Sequence, residues 1–332
     1  MPFITFFFVF ISVIAQASKE DCPSYAVDTQ FMAQHFDQGN ARLCFAFAAS
    51  DLISHALKKK ILPYDVALKV FHDDQTRENQ IAAHKRKMPE NVELHGGHID
   101  SAMSVVNGKE ICLNDQKFTY ENKWEELSDI FTFLARSNPE TEMTSRLSFD
   151  AQLEKSTHFN QVITTERHLD RLDKIFDKLC GDHRILIDLS SQQFVTKEFQ
   201  NGRLFWNTRA PREEDLIFEM ATALKSGNPL GIEYDISSIR EISGPHASTI
   251  VEMKYDEEKK QCLALVKDSH GQICNTAARN VTCIEGQYWV STKQLMETLI
   301  YTIWLQDKVA REPAKAHKNI LPAKKLPIKK IF

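Results

Sequence analysis

Hydrophobic residues recur at the spacing of an amphipathic helix in several separate segments of the chain, and short β-prone runs are concentrated in its C-terminal third. The strongest helical segment extends from Leu43 to Lys60 and contains neither Gly nor Pro. A charged segment, Asp65–Lys87, has few large apolar residues, so we expect a helix on the surface there. Helical spacing also predicts helices over Ile99–Val106, Trp124–Ala135, Leu169–Leu179, Glu213–Lys225 and Thr292–Trp304.

Short β-prone segments begin after Gly227-Asn228-Pro229, a combination that ends the preceding helix. They are separated by turns and comprise Leu230–Tyr234, Ala247–Met253, Cys262–Lys267 and Gln287–Val290. Residues 18–40 are expected to form an extended lead-in. The pattern therefore predicts an α+β fold, in which an N-terminal helical part is followed by an antiparallel sheet.

The N-terminus carries the pattern of a secretory signal peptide, which we assign to residues 1–17. Pro2–Ala15 is almost continuously apolar, and Ala15-Gln16-Ala17 is a small-x-small cleavage pattern. The run is shorter than the ~20 residues that span a bilayer. We therefore expect cleavage after Ala17, no stable membrane insertion, and a secreted protein, either extracellular or periplasmic. Because no Lys or Arg precedes the apolar run, a signal anchor stays open as the alternative.

The C-terminal segment, residues 311–332, differs in charge from the rest of the chain. It holds seven Lys or Arg residues against one Glu, whereas the whole chain has a net charge of −4. Its prolines disfavour a long helix, so we expect a basic, flexible tail. The opposite charges of the tail and the body leave open a docking of the tail on the body or on a partner.

The body of the chain lacks the sequence motifs of nucleotide and nucleic-acid binding. It has no Gly-rich phosphate loop and no basic patch interleaved with aromatic residues, so we expect no nucleic-acid partner. The 12 histidines show no fixed ligand spacing, so we expect neither a metal nor a cofactor.

Four residues, in two regions about two hundred positions apart, have side chains that suit acid–base and nucleophilic chemistry. Cys44 lies at the start of the strongest predicted helix, where unpaired N–H groups favour a thiolate. His246, after Gly244-Pro245, is a candidate base, and Asp268 is a residue able to orient an imidazole. Gln38 is a candidate oxyanion donor together with the Cys44 backbone N–H. Each residue taken singly is more often structural, so the hypothesis depends on their joint occurrence.

The chain has seven cysteines, an odd number. An exported protein keeps disulfides, and if Cys44 is a free nucleophile, the other cysteines suffice for three bridges. Their pairing stays open, although Cys274 and Cys283 are near enough in sequence to close a local loop. A zinc cluster is the weaker alternative, because the sequence has no Cys-x-x-Cys pair.

These residues lie in blocks that resemble the papain-like cysteine peptidases of the cathepsin type. The resemblance implies an enzyme that hydrolyses a protein or peptide substrate, with Cys44 as the nucleophile, His246 as the acid and base, and Gln38 as the oxyanion donor. It also implies that Asp268 takes the place of the family's orienting Asn, and that the pair Gly96 and Gly97 contacts the substrate backbone. The blocks, in the family's order, are Gln38-Gly39, Cys44-Phe45-Ala46-Phe47, Gly96-Gly97, Gly227-Asn228-Pro229-Leu230-Gly231-Ile232, His246-Ala247 and Asp268-Ser269-His270-Gly271.

The same resemblance implies a two-lobed fold, in which an N-terminal helical lobe faces a C-terminal antiparallel sheet or barrel across a cleft. One papain-like catalytic domain is expected over residues 18–310, because the matching blocks extend across that range. The family's histidine commonly lies ~130–150 residues after its cysteine, whereas about two hundred residues separate them here. The difference predicts an insertion within residues 109–226.

The chain departs from the family pattern beside the expected site. Asp268 replaces Asn and adds a negative charge, which is expected to raise the pKa of His246. His270 replaces the usual Trp, and Phe45 replaces the Trp that follows the nucleophile. Two alternatives therefore stay open. One is a catalytically weak or inactive protein that binds peptides or a partner through the same cleft. The other is a thiol-dependent acyl transferase.

Overall fold

The computed structural model describes residues 22–32, 38, 43–73, 98–114, 168–199, 211–270, 274, 277–278 and 280–308. The predicted signal peptide, the Gly96-Gly97 pair, the helix at Trp124–Ala135, much of the predicted insertion and the C-terminal tail lie outside these residues. The described parts contain both helices and antiparallel sheets, so the α+β class is confirmed.

Six α-helices occur among the described residues, and the predictions at four of them are confirmed with small shifts at the ends. Within this part of the chain, no helix is long and apolar enough to cross a membrane. The first helix ends at Lys58, whose φ of 53° is left-handed and whose N–H donates to the preceding turn. The helices are α1 (Cys44–Leu57), α2 (residues 63–73), α3 (Ile99–Val106), α4 (His168–Cys180), α5 (Glu213–Lys225) and α6 (Thr292–Met296).

The larger of the two sheets in the described part of the chain has eight strands, all paired antiparallel. Its strands are β1 (Tyr25–Ala26), β4 (Gln192–Glu198), β5 (Leu230–Asp235), β6 (Pro245–Asp256), β7 (Gln261–Lys267), β8 (Thr282–Ile284), β9 (Gln287–Ser291) and β10 (Leu299–Asp307). Their order is β4-β10-β5-β6-β7-β9-β8, and β1 pairs with β6. Separately, β2 (Glu110–Cys112) pairs with β3 (Arg184–Leu186). All four predicted strands are present.

The prediction of a surface helix over Asp65–Lys87 is wrong in the part that the structure describes. Residues 63–73 are helical, but they include the buried side chains of Val66, Leu68 and Phe71. Asp65 is buried as well, and its Oδ2 accepts a hydrogen bond of 2.8 Å from the Cys112 backbone N–H. The charged residues after position 73 dominate the composition of the segment and obscure the apolar face of its first turns.

The predicted helix over Thr292–Trp304 is also wrong beyond its first turns. Only Thr292–Met296 is helical, and β10 follows and pairs with both β4 and β5. The residues Ile300 to Trp304 are β-branched or aromatic, which suits a strand. The sequence-based assignment failed because a short apolar run satisfies helical and strand spacing alike, and pairing with β5 decides between them.

Buried hydrophobic side chains form two clusters on opposite faces of the larger sheet. Helices α1 to α4 contribute to the first cluster, whereas α5 and α6 contribute to the second. Alternation along β10 separates them, because Ile303 belongs to the first cluster and Trp304 to the second.

Helix α1 lies close against the sheet, and Gly231 on β5 permits this approach. A Cβ at position 231 would lie 3.0 Å from Leu52 Cδ1 and 3.3 Å from the carbonyl oxygen of Ile303. A buried ion pair of 2.7 Å between Asp51 of α1 and Lys267 of β7 fixes the helix on the strands. The sheet thereby determines where the N-terminal end of α1 lies.

Three disulfides link the elements, and all seven cysteines are described. The bridges are Cys22–Cys262, Cys112–Cys180 and Cys274–Cys283, and Cys44 is free. The prediction of three bridges and one free thiol is therefore confirmed, including the local loop between Cys274 and Cys283.

Candidate active site

Cys44 is the first residue of α1 and carries the free thiol. Its neighbours Leu43 and Phe45 are fully buried, whereas Cys44 is partly exposed. The two apolar neighbours thus anchor the helix start, while Cys44 itself stays partly exposed. Leu43 provides no side-chain hydrogen bond to the first turn, so the positive end of the helix stays open to an anion.

His246 is the second residue of β6 and is buried, with its ring in contact with the rings of Tyr234 and His270. Tyr234, its partner on β5, packs against the imidazole in a T-shaped arrangement with ring centroids 5.8 Å apart. The Tyr234 hydroxyl is in turn held 3.0 Å from Ser248 Oγ. The imidazole Nε2 lies 2.6 Å from Asp268 Oδ1, which leaves Nδ1 as the ring nitrogen available to Cys44. Cys44 is close enough to His246 for its charge and hydrogen bonding to raise the pKa of the imidazole.

The charges of this group favour an imidazolium at position 246. Burial disfavours the charged ring, but the charges of Asp268 and Cys44, with a hydrogen bond from each, raise the pKa of His246 to about 10. Burial alone would also favour a neutral Asp268. The charge and hydrogen bond of His246, followed by a hydrogen bond from His270, hold the pKa of Asp268 well below its usual range.

Asp268 follows β7 and is almost completely buried, so its charge requires partners. Besides His246, its Oδ1 accepts a hydrogen bond of 2.8 Å from the Ser269 backbone N–H. The Arg240 Nη2 lies 3.0 Å from Oδ2, and this guanidinium is buried too. Arg240 also lies over the Tyr288 ring, 5.7 Å from its centroid. The carboxylate is thus compensated by a fixed cation on the side away from the imidazole.

Gln38 is buried and joined to the loop that carries Asp268. Its backbone N–H donates to the Ser269 carbonyl oxygen at 2.8 Å. Its side-chain Oε1 accepts a hydrogen bond of 2.9 Å from Ser269 Oγ, and its Nε2 lies 3.3 Å from His270 Nε2. The structure therefore brings Gln38 next to the Asp268 loop, although about two hundred and thirty residues separate them in sequence.

His270 contacts three members of the group at once. Its Nδ1 lies 3.2 Å from Asp268 Oδ2, and its Nε2 faces Gln38. Its ring stacks on that of His246, with centroids 5.1 Å apart and an angle of 28° between the planes. His270 is only partly exposed, so it covers the Asp268–His246 pair from one side.

The expected contact pair, Gly96 and Gly97, lies outside the described residues. The next residue, His98, places Nδ1 2.8 Å from Glu233 Oε2, and the Ile99 N–H donates to Glu233 Oε1 at 2.9 Å. The Tyr301 hydroxyl donates to the same oxygen at 3.0 Å. Glu233 pairs with Ala247 on β6, so it fastens the start of α3 one residue away from His246.

His246, Asp268 and His270 are the one set of three ligand-type side chains that comes together in the described part of the chain, with donor atoms within 4.8 Å of one another. Their facing atoms are already joined by hydrogen bonds, and the distance of 2.6 Å between Nε2 and Oδ1 is that of a charge-assisted bond. The Arg240 cation at 3.0 Å opposes a second cation. The geometry therefore favours a proton-transfer group over a metal site.

The sequence does not predict the contacts of three contributors to this site. Arg240 lies outside every motif, and only the fold brings it to Asp268. Ser269 and His270 were within a matching block, but their contacts with Gln38 depend on a loop that is remote in sequence. A buried charge at Asp268 was the available signal, because it requires a cation that the motifs do not supply.

The assembled group combines a partly exposed thiol at a helix start, an imidazole with a raised pKa and a buried carboxylate that orients it. A side-chain amide completes the group from the neighbouring loop. This set can deliver a sulfur nucleophile and a proton to one reacting centre. No family model and no curated protein matches the chain.

Proposed function

We propose that the chain is a papain-like cysteine peptidase that hydrolyses peptide bonds through Cys44 and His246. The observation that carries the proposal is the assembly of three residues from separate segments: His246 Nε2 lies 2.6 Å from Asp268 Oδ1, and Cys44 is near enough to raise the pKa of His246. Proximity of this kind between residues remote in sequence is required for catalysis by a thiolate–imidazolium pair.

In the proposed reaction the Cys44 thiolate attacks the carbonyl carbon of the scissile peptide bond. The carbonyl oxygen becomes an oxyanion, which the Gln38 amide and the Cys44 backbone N–H stabilise. The His246 imidazolium gives its proton to the leaving amine as the C–N bond breaks, which leaves a thioester and a neutral imidazole. His246 then takes a proton from water, whose oxygen attacks the thioester and releases the acid and the thiolate.

The fold and the disulfides support the rest of the proposal. The two hydrophobic clusters, one around α1 and one beneath the sheet, are consistent with a helical lobe and a sheet lobe that share the Cys44–His246 contact. Three disulfides are typical of proteins in oxidising compartments, in agreement with a signal peptide at residues 1–17 and export of the chain. Residues 18–310 would then form the catalytic unit.

The test is covalent labelling of the thiol combined with peptide hydrolysis. The full chain is treated with an epoxide-type thiol inhibitor and with a peptide library, beside a Cys44→Ser variant. We expect one label, at Cys44, and cleavage products that disappear in the variant. Hydrolysis that continues at the wild-type rate in Cys44→Ser would refute the proposal.

A catalytically weak protein that binds peptides is the second candidate, and the raised pKa of His246 favours it. An imidazolium with a pKa of about 10 is a poor proton donor to a leaving amine. This candidate predicts that Cys44 is labelled but that turnover is absent. Peptide binding by Cys44→Ser without cleavage by the wild type would support it against the peptidase.

A further inference from the structure

We propose that His270 is a positioning residue that fixes the orientation of the Gln38 side-chain amide and does so only as a neutral imidazole. The inference depends on the proposed function, because it assigns a task to Gln38 in oxyanion stabilisation. It concerns a position at which the chain departs from the family it resembles. Its basis is the set of hydrogen bonds that connects Asp268, His270, Gln38 and Ser269.

The hydrogen-bond directions at His270 follow from the chemistry of its two partners. An ionised Asp268 only accepts, so the His270 Nδ1 at 3.2 Å carries the proton and donates. In a neutral imidazole the other nitrogen, Nε2, is then an acceptor. The Gln38 Nε2 at 3.3 Å therefore donates to it. One tautomer of His270 satisfies both contacts.

The orientation of the Gln38 amide follows from the same reasoning. Ser269 Oγ donates to Gln38 Oε1 at 2.9 Å, so the amide oxygen is used on that side. The amide nitrogen has two hydrogens, and the bond to His270 uses one. The second N–H is the one that is left for a substrate oxygen. These two hydrogen bonds, which join the Gln38 amide to His270 and Ser269, form a clamp that fixes the direction of this N–H.

Protonation of His270 conflicts with this clamp. An imidazolium has donors at both nitrogens, so Nε2–H would face the Gln38 NH₂ group. The amide resolves the conflict by turning over, which puts Oε1 on His270 and Nε2 on Ser269 Oγ, a group that also accepts. Both anchoring bonds survive, but the free N–H then points away from its former direction. The charged and titratable groups that face His270 are Asp268 on its own loop and His246 on β6, with Arg240 behind Asp268.

Simple shielding of the Asp268–His246 pair from water is the competing role for His270. The stacked ring, with centroids 5.1 Å apart, covers the pair whether or not its nitrogens bond to anything. The His270→Phe variant separates the two roles, because Phe keeps a flat ring of similar size and has no nitrogen. His270→Leu serves as a second variant, and the exposed His183 provides a matched control as His183→Phe.

The experiment uses the full chain and compares two reactions of Cys44. Hydrolysis of a peptide amide that the wild type cleaves develops an oxyanion, whereas alkylation by iodoacetamide displaces iodide from carbon and develops none. We expect His270→Phe to lower kcat by about tenfold, a fraction of the ~10²–10³-fold loss on removing an oxyanion donor. We expect the alkylation rate and KM to change by less than about threefold. The double variant Gln38→Ala/His270→Phe should match Gln38→Ala alone.

Because Phe keeps the covering ring, loss of hydrolysis with retained alkylation in His270→Phe is a readout that shielding does not give. A His270→Phe variant with wild-type kcat overturns the inference and leaves the proposed peptidase intact. Loss of alkylation together with hydrolysis in both His270 variants would also overturn it, since it indicates damage to the Cys44–His246 pair. A wild-type chain that hydrolyses no peptide removes the proposed function and this inference with it.

Discussion

Replacement of Asp268 by Asn is expected to lower the pKa of His246 and to move the alkaline limb of activity to lower pH. Burial disfavours the charged ring, yet Asp268 and Cys44 raise the pKa of His246 from 6.5 to about 10. That rise corresponds to about 5 kcal/mol in favour of the imidazolium. Asn keeps an oxygen that accepts from His246 Nε2, so the substitution removes the charge and retains the hydrogen bond.

The size of the change follows from which charges remain. Asp268 is the larger of the two attractive charges, and Cys44 is unaffected in the variant. The pKa of His246 should therefore fall part of the way from about 10 toward its ordinary value, by about one to three pH units. Arg240, 3.0 Å from the lost carboxylate, adds to the fall because its charge is no longer compensated.

The assay is kcat/KM as a function of pH for a peptide that the wild type cleaves, with the imidazole resonance of His246 followed by NMR. Loss of the imidazolium gives the alkaline limb, so this limb reports the pKa in the free enzyme. Asp182→Asn, an exposed aspartate in the turn after α4, is the control and should leave the profile unchanged. Coincident alkaline limbs in wild type and Asp268→Asn would refute the assignment of Asp268 as the partner of His246.

The same charges make the stability of the fold depend on pH. Because the pKa of His246 is raised, its contribution is fully present below ~6.5 and is lost as the pH rises through about 10. Because the pKa of Asp268 is lowered, its contribution is present above ~3.8 and is lost as the pH falls further. The difference in unfolding free energy between wild type and Asp268→Asn should be largest between about pH 4 and pH 6.5, and should shrink toward pH 10.

Two further predictions concern stability. Gly231→Ala should lower the free energy of unfolding by about 1–3 kcal/mol, because the new Cβ meets Leu52 Cδ1 at 3.0 Å and the Ile303 backbone at 3.3 Å. Urea unfolding measures this, and a variant as stable as the wild type would contradict the close approach of α1. Replacing the Cys22–Cys262 bridge by two serines should cost about 2–3 kcal/mol more than replacing Cys274–Cys283, because the sequence separations are 240 and 9. Equal losses in denaturant unfolding would argue against this ranking.

The parts of the site that could be predicted from sequence are those that local pattern determines. Cys44 begins a long run without Gly or Pro, so the start of α1 was predictable. His246 lies at the start of one β-prone run and Asp268 directly after the end of another, so both side chains were expected at the edge of a sheet. The free thiol was predictable as well, because an odd number of cysteines leaves one without a bridge.

The parts that could not be predicted depend on contacts between remote segments. β10 satisfies helical spacing in sequence and becomes a strand because β4 and β5 offer it backbone partners on both sides. Arg240 reaches Asp268 from a segment that no local pattern marks. His270 was identified as a departure from the family pattern, but its bond to Gln38 appears only when both loops are in place.

Asp268, whose charge Arg240 compensates, raises the pKa of His246, and an asparagine at position 268 would carry no charge with which to do so. The charges of Cys44, His246, Asp268 and Arg240 alternate in sign, so the imidazolium is stabilised from two sides. With a pKa of about 10, His246 is a weaker acid than a protonated peptide amine, whose pKa lies near 8. In the proposed reaction, attack on a carbonyl makes the Cys44 sulfur neutral and moves its negative charge to the oxyanion, which the Gln38 amide and the Cys44 N–H hold. The charge beside the imidazole is thereby displaced, so the acidity of His246 rises at the step in which its proton would pass to the leaving amine.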